Sequence, residues 1–470
     1  MARDLARIHR KGSAGRASPF RKLTGCLLLA LSTIGLSLVV ASPAGALPMG
    51  TITTEVPGLN GPHGVVYDAT DNSVYVSVTN ACQVLQDDLT TSTVSVLVNT
   101  AAVCGAPSAA GTAATLATLD HPLGLAIDEA TQTLYIADKD NHGIEVVNLT
   151  ATPPDMGTFI PLVPGAPVSE PDGISIDQGT GTLYVADSGT DVVWSIPSGG
   201  SPSIFAGVFQ TPGFNGNGIS ATSAKLDLPS SVDFESGVVY ISDTDNNEIR
   251  SVTFGIIQDV IGSPVATAGC SPDGSPATNP ITAPTAFQLD GAGTQFYDET
   301  GCELVREIGG TLTMQTVAGG GATPYPYSGD QATNVTLNGP HGLTFVPDGT
   351  NADLWFSDSG NGAVNAVTAV ASGAEFSPAP RFTSANMATA FVGQPFTYLV
   401  TTTGFPIGTK LIKAGKLPKG LKLTDNKNGT ATIAGTTKGT GTFCFVVRAK
   451  PPKKGGTGGS GGFCLVSTTG

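Results

Sequence analysis

A proline recurs at nearly regular spacing through most of this chain. Pro62, Pro122, Pro171, Pro229, Pro284 and Pro340 open the segments PHGVVYD, PLGLAID, PDGISID, PSSVDFE, PTAFQLD and PHGLTFV. The intervals are 60, 49, 58, 55 and 56 residues. Units of this length cannot bury an apolar face alone, so they must pack against each other. Each continues with a strand-like run: VYVSV at 74–78, LYIAD at 134–138, LYVAD at 183–187, VYISD at 239–243, QFYD at 295–298 and LWFSD at 354–358. A turn follows, with Asn141, Asn246 or Asn361 in three copies. Then come IEVVNL, VVWSIP, EIRSVTF or AVNAVTA, and a weaker fourth segment. Four short strands per ~50 residues, separated by turns, predict one propeller blade per copy. The expected fold is all-β: a six-bladed β-propeller followed by a small Ig-like β-sandwich. The sixth copy lacks a fourth strand, and Thr51–Val56 precedes the first copy without a partner. Pairing the two would close the ring and remove an exposed edge.

Charge divides the chain. Residues 47–375 carry 4 Lys/Arg and 35 Asp/Glu, a balance of −31; residues 376–470 carry 12 and 1, a balance of +11. The acidic body repels nucleic acid and anionic surfaces, whereas the basic end attracts them. At the N-terminus, seven basic residues precede the apolar run Cys26–Ala41, and Ala44-Gly45-Ala46 suits cleavage. This pattern predicts a secretory signal peptide over 1–46, a propeller over 47–372, a linker over 373–380 and a sandwich over 381–470. No membrane span is expected in the mature chain, which is expected to be extracellular or associated with the cell envelope. Its six cysteines, Cys82, Cys104, Cys270, Cys302, Cys444 and Cys464, then predict disulfides. Six cysteines allow 15 pairings. Strand topology places the first four on one face, which favours Cys82–Cys104 and Cys270–Cys302 and leaves Cys444–Cys464.

The P-x-G segments, the LYVAD-type strands with their Asn turns and the connector PGFNGNGISATSAKLDLP (212–229) resemble NHL repeats, over roughly residues 50–372. The fifth copy departs from the pattern, with Thr285 and Ala286 in place of x-Gly. Downstream, PRFTSANMATAFVGQPFTYLVTTTGFP, GKLPKGLKL and NGTATIAGTT resemble the Ig-like domains common in secreted bacterial proteins.

The recurring Asp138, Asp187, Asp243, Asp298 and Asp358 each end a strand before a turn. There a carboxylate bonds nearby backbone N–H groups, so a structural role accounts for all five. The position after the repeat proline holds His63, Leu123, Asp172, Ser230, Thr285 and His341. In a closed ring the first and sixth copies are neighbours, so LNGPHG at 59–64 and again at 337–342 brings His63 near His341. With Asp172 two blades away, the set suits a divalent metal such as zinc or iron. The simpler role for the two histidines is to bond loop carbonyls. Peptidyl-hydroxyglycine lyases share this fold, and the resemblance implies that His63 and His341 match two of their zinc histidines. A third has no counterpart, and His121 is out of register. A gluconolactonase-like calcium set of Glu, Asn, Asn and Asp cannot be placed. His142 follows Asn141 in a turn and is expected to be solvated. In the basic tail, Lys410, Lys413, Lys416, Lys419 and Lys422 recur every third residue. An extended segment would align them toward an anionic envelope polymer, or they form a solubilising face. The leading expectation is a non-catalytic binding or scaffold propeller for a protein or glycan. The alternative is a metal-dependent lyase or lactonase-like hydrolase at the channel mouth.

Overall fold

The computed structural model describes residues 38–39, 50–163, 169–264, 269–290, 293–309, 312–348, 351–371, 381–382, 387–403, 410–414, 417–426, 430–450 and 460–468. Each repeat forms one antiparallel sheet. Sheets one to six begin with the strands Pro62–Asp68, Pro122–Asp128, Pro171–Asp177, Pro229–Glu235, Pro284–Leu289 and Pro340–Asp348. In every sheet the first strand pairs with the second, and the second with the third. The six first strands touch in a closed cycle, one to six and back to one. The protein is a β-propeller.

The third residue of P-x-G has a steric reason. A Cβ on Gly64 would lie 2.3 Å from the Leu123 carbonyl oxygen, one on Gly124 2.4 Å from that of Asp172, and one on Gly342 2.3 Å from that of His63. Adjacent first strands therefore approach too closely for a side chain. The register also shifts just after each repeat proline, a bulge that disrupts the local pairing.

Alternating apolar residues fill the spaces between sheets. Six clusters result, one per neighbouring pair. Between sheets five and six, for example, Phe296, Phe345 and Phe356 are buried together, and between six and one Val56, Val76 and Trp355. The ring closes as expected. Thr51–Pro57 pairs with the third strand of sheet six, Ala363–Ala371, with Ile52 opposite Val367. Ser328–Gln331 adds a further strand outside it.

The C-terminal region forms two four-stranded sheets. Ala390, Val400, Ile433, Val447 and Leu465, drawn from both, form a common buried cluster. The expected linker lies outside the described residues, as does the leader apart from Leu38–Val39, which pairs with Thr93 and Val94. Among the described residues no helix is long and apolar enough to cross a membrane.

Candidate functional site

Closure of the ring sets the site. Gly342 packs against the His63 backbone, so the two histidines that follow the repeat prolines of sheets six and one meet. Their rings stack with centroids 4.6 Å apart and planes inclined by 22°. Ser357 Oγ lies within hydrogen-bond distance of the carbonyls of both His63 and His341 and shares its one proton between them. Asp172 lies on the other side of His63, with Oδ1 3.8 Å from Nε2. The three residues singled out from the sequence are thus neighbours.

Their charge state follows from burial. The His63 side chain is 21% exposed and that of Asp172 14%. Burial pushes His63 well below its ordinary value, and the nearby His341 and Lys139 add to this. Burial alone lowers His341 to about 4. Asp172 rises to about 7, again by burial, against the pull of Lys139. The contact between His63 and Asp172 is therefore not an ion pair at neutral pH: desolvation outweighs a charge attraction at this separation. His63 Nδ1, His341 Nδ1 and Asp172 Oδ1 are buried with no hydrogen-bond partner.

As a metal centre the set is loose. Among the described residues, the groups of three whose ligand atoms all lie within 4.8 Å of one another are Cys82/Asp120/His121 and Cys270/Glu299/Cys302. Both contain disulfide sulfurs, which are not thiolate ligands. His63, His341 and Asp172 do not converge to that extent. The first strands also enclose a cavity of about 350 Å³ whose lining includes His63, Leu125, Ile174, Phe287, Asp233 and Gln288. Burial raises Asp233 to about 8.

The recurring strand-end acids are structural clasps. A connector amide, one or two residues before the repeat proline, donates to one oxygen of four of them: Asp120 to Asp138, Glu170 to Asp187, Asp227 to Asp243 and Asn338 to Asp358, at 2.7–2.8 Å. The turn asparagines Asn141, Asn246 and Asn361 donate to the other oxygen at 2.7–3.0 Å. Sheet five corrects the expectation for Asp298. Pro284 pairs with Glu299, and Glu299 Oε1 receives the Thr282 amide at 3.0 Å. The strand runs one residue further than the repeat spacing suggested. Asp298 instead sits fully buried, with no partner on either oxygen.

One recurring position carried no sequence signal. Seven residues beyond four of the strand-end acids, on the third strand, a side chain reaches back to the acid. Trp194 Nε1 donates to Asp187 at 2.8 Å, Arg250 to Asp243 at 3.3 Å, Arg306 to Glu299 at 3.2 Å and Asn365 to Asp358 at 3.3 Å. The residue types share only donor capacity, so no motif marks them.

Cys82–Cys104 and Cys270–Cys302 form the expected disulfides. Cys444 and Cys464 are register partners on neighbouring strands, and their side chains lie outside the described residues. His121 Nδ1 approaches Asp120 and Asp140 at 3.0 and 2.8 Å, away from the stacked pair. His142, expected to be solvated, has Nδ1 2.6 Å from the Ser169 carbonyl, because its left-handed turn backbone aims it at the next connector. The lysine row is broken. Lys410 and Lys413 lie on a strand of one C-terminal sheet and Lys422 on a strand of the other, across the turn holding Pro418 and Gly420. Lys419 and Lys422 are exposed; Lys416 and the side chains of Lys410 and Lys413 lie outside the described residues.

No protein-family model matches the sequence, and no curated protein matches it either. Solved structures share the fold. A Bacteroides thetaiotaomicron protein of unknown function is 14% identical with a TM-score of 0.50, over 67% of this chain and 75% of its own. An auxiliary nutrient binding protein from the same organism is 13% identical with a TM-score of 0.50, over 68% and 76%. A gluconolactonase from Xanthomonas campestris is 14% identical with a TM-score of 0.47, over 70% and 99%. The first two likenesses support a β-propeller fold and no more.

Proposed function

We propose that this chain is a secreted, non-catalytic binding propeller of six NHL-type blades. Its ligand is held at the histidine end of the channel, and its basic C-terminal sheets act as an Ig-like module associating with anionic envelope polymer. One observation carries the binding role: three buried polar atoms at the channel rim, His63 Nδ1, His341 Nδ1 and Asp172 Oδ1, lack partners. Unpaired buried groups are costly, and a ligand that pairs them recovers that cost. With both imidazoles neutral, each has one donor and one acceptor. Hydroxyl groups can serve either role, which favours a glycan over a peptide. The two disulfides fit an oxidising compartment.

The test is calorimetric titration of the purified protein with soluble glycan fragments. His63→Ala or His341→Ala should weaken binding by about tenfold or more, the loss of a buried hydrogen bond. Equal affinity in both variants would remove the site from the channel rim. Stoichiometric zinc or iron in the purified protein, lost in His63→Ala, would instead favour the metal-enzyme reading.

A further inference from the structure

Sheet two breaks the pattern that four other sheets keep. Where they place Trp194, Arg250, Arg306 or Asn365 as a donor to the strand-end acid, sheet two places Glu145. The position is the same by register. Glu145 pairs with Ile136 as Arg250 pairs with Ile241 and Arg306 with Tyr297, two residues before the strand-end acid in each case. Burial destabilises the charged form of Glu145, and the charge of Asp138 adds to this. Both acids are 0% exposed. No donor meets hydrogen-bond geometry at either carboxyl oxygen of Glu145. The Ser108 and Val146 amides are close enough to offset only part of the cost.

The guanidinium of sheet four shows what this position holds elsewhere. Arg250 bridges Asp243 to the connector above it, donating to the carbonyls of Lys225 and Gly216 at 3.0 and 2.8 Å. Arg306 does likewise with Glu299 and the Ser271 carbonyl, at 3.2 and 2.6 Å. In sheet two the Asp120 amide clasps Asp138 just as the Asp227 amide clasps Asp243, so Thr118 stands where Lys225 does. The connector of sheet two is retained, and among the described residues no side chain supplies the positive charge that would join it to the strands.

We propose that Asp138 and Glu145 bind a divalent cation of the calcium class, which takes the structural place of the Arg250 and Arg306 guanidinium groups. The donors are all oxygens: two carboxylates, and connector carbonyls such as that of Thr118. Such hard ligands select calcium or magnesium over zinc, and calcium tolerates irregular geometry while magnesium demands an octahedron with retained water. The site is separate from the channel and does not depend on the ligand proposed there. The ion is a staple between connector and blade.

The test uses the purified full chain, refolded with a chelator or with calcium, and thermal unfolding followed at pH 7.5. Calcium should raise the folded-to-unfolded ratio about 100-fold at 100 times Kd, with one ion per chain by elemental analysis. Glu145→Gln should abolish the calcium response. Glu145→Arg, which restores the arrangement of sheets four and five, should unfold at the same temperature with or without calcium. A wild-type chain that binds no calcium and unfolds identically under both conditions would overturn the proposal, and the two acids would then share a proton. A calcium response that persists in both variants would also overturn it by placing the ion elsewhere. If neither variant folds, the wild-type stoichiometry and calcium response decide alone.

Discussion

Sheets two and four use the same backbone to opposite electrical ends. In sheet four a fully buried Arg250 reaches Asp243 and Glu248 at 3.3 Å and Asp259 at 3.8 Å. In sheet two Glu145 occupies the same register position relative to Asp138, and among the described residues no positive side chain pairs with either acid. The burial is equal, and so is the clasp from the connector amide. Where a strand ends in a buried acid, the repeat fold fixes the position that faces it. It leaves open what meets the acid there, whether indole, amide, guanidinium or something from outside the chain.

The comparison can be broken from the sheet-four side first. Arg250→Met should cost about 3–5 kcal/mol, because it leaves buried acids without their counter-charge. Denaturant unfolding would show it, and a loss below 1 kcal/mol would mean that the acids are already neutral in the folded protein. Sheet three provides an uncharged control. Trp194→Phe keeps the ring but removes the bond to Asp187, for an expected loss of about 1–3 kcal/mol, visible in the same experiment. Sheet two should respond in the opposite sense. With a chelator present, Glu145→Gln should stabilise the protein at pH 8 by about 1 kcal/mol. Burial raises Glu145 from 4.5 to about 8. Between those values the folded state keeps a proton that the unfolded chain has released, so stability falls as pH rises through the window. Melting temperatures measured from pH 5 to pH 8 should decline less steeply in the variant than in the wild type. Parallel curves would place the proton elsewhere.

Much of the propeller could be read from the sequence, because its constraints are local. The P-x-G bulge, the strand-end acid and the Asn turn recur as letters, and each has a contact that requires it. Closure by Thr51–Pro57 followed from one missing strand. The meeting of His63 and His341 followed from circular order, but the stack and the neutral state did not. Those depend on the tight approach at Gly342 and on desolvation. Sheet five misled at Asp298 because letter spacing cannot register a strand that runs one residue longer; pairing opposite Pro284 can. The Glu145 position was invisible for another reason. It is defined by the acid it faces, and its occupants share no chemistry except, in four sheets, a hydrogen-bond donor. The regular spacing of the lysines did not show that Lys410 and Lys413 belong to one C-terminal sheet and Lys422 to the other.

The strand that closes the ring bears on how the chain reaches this state. Thr51 and Thr368 bond through their hydroxyls at 3.0 Å, 317 positions apart. A chain made from its N-terminus presents the closing strand first and its partner almost last. Contacts of such long range form late, since the loop they close carries a large entropic cost and slows folding. Until residues 363–371 emerge, sheet six has no third strand for Thr51–Pro57 to join. A prematurely ended chain cannot complete the circle and keeps two open β edges, which proteases and aggregation readily exploit. Only a chain made through its sixth repeat can lock.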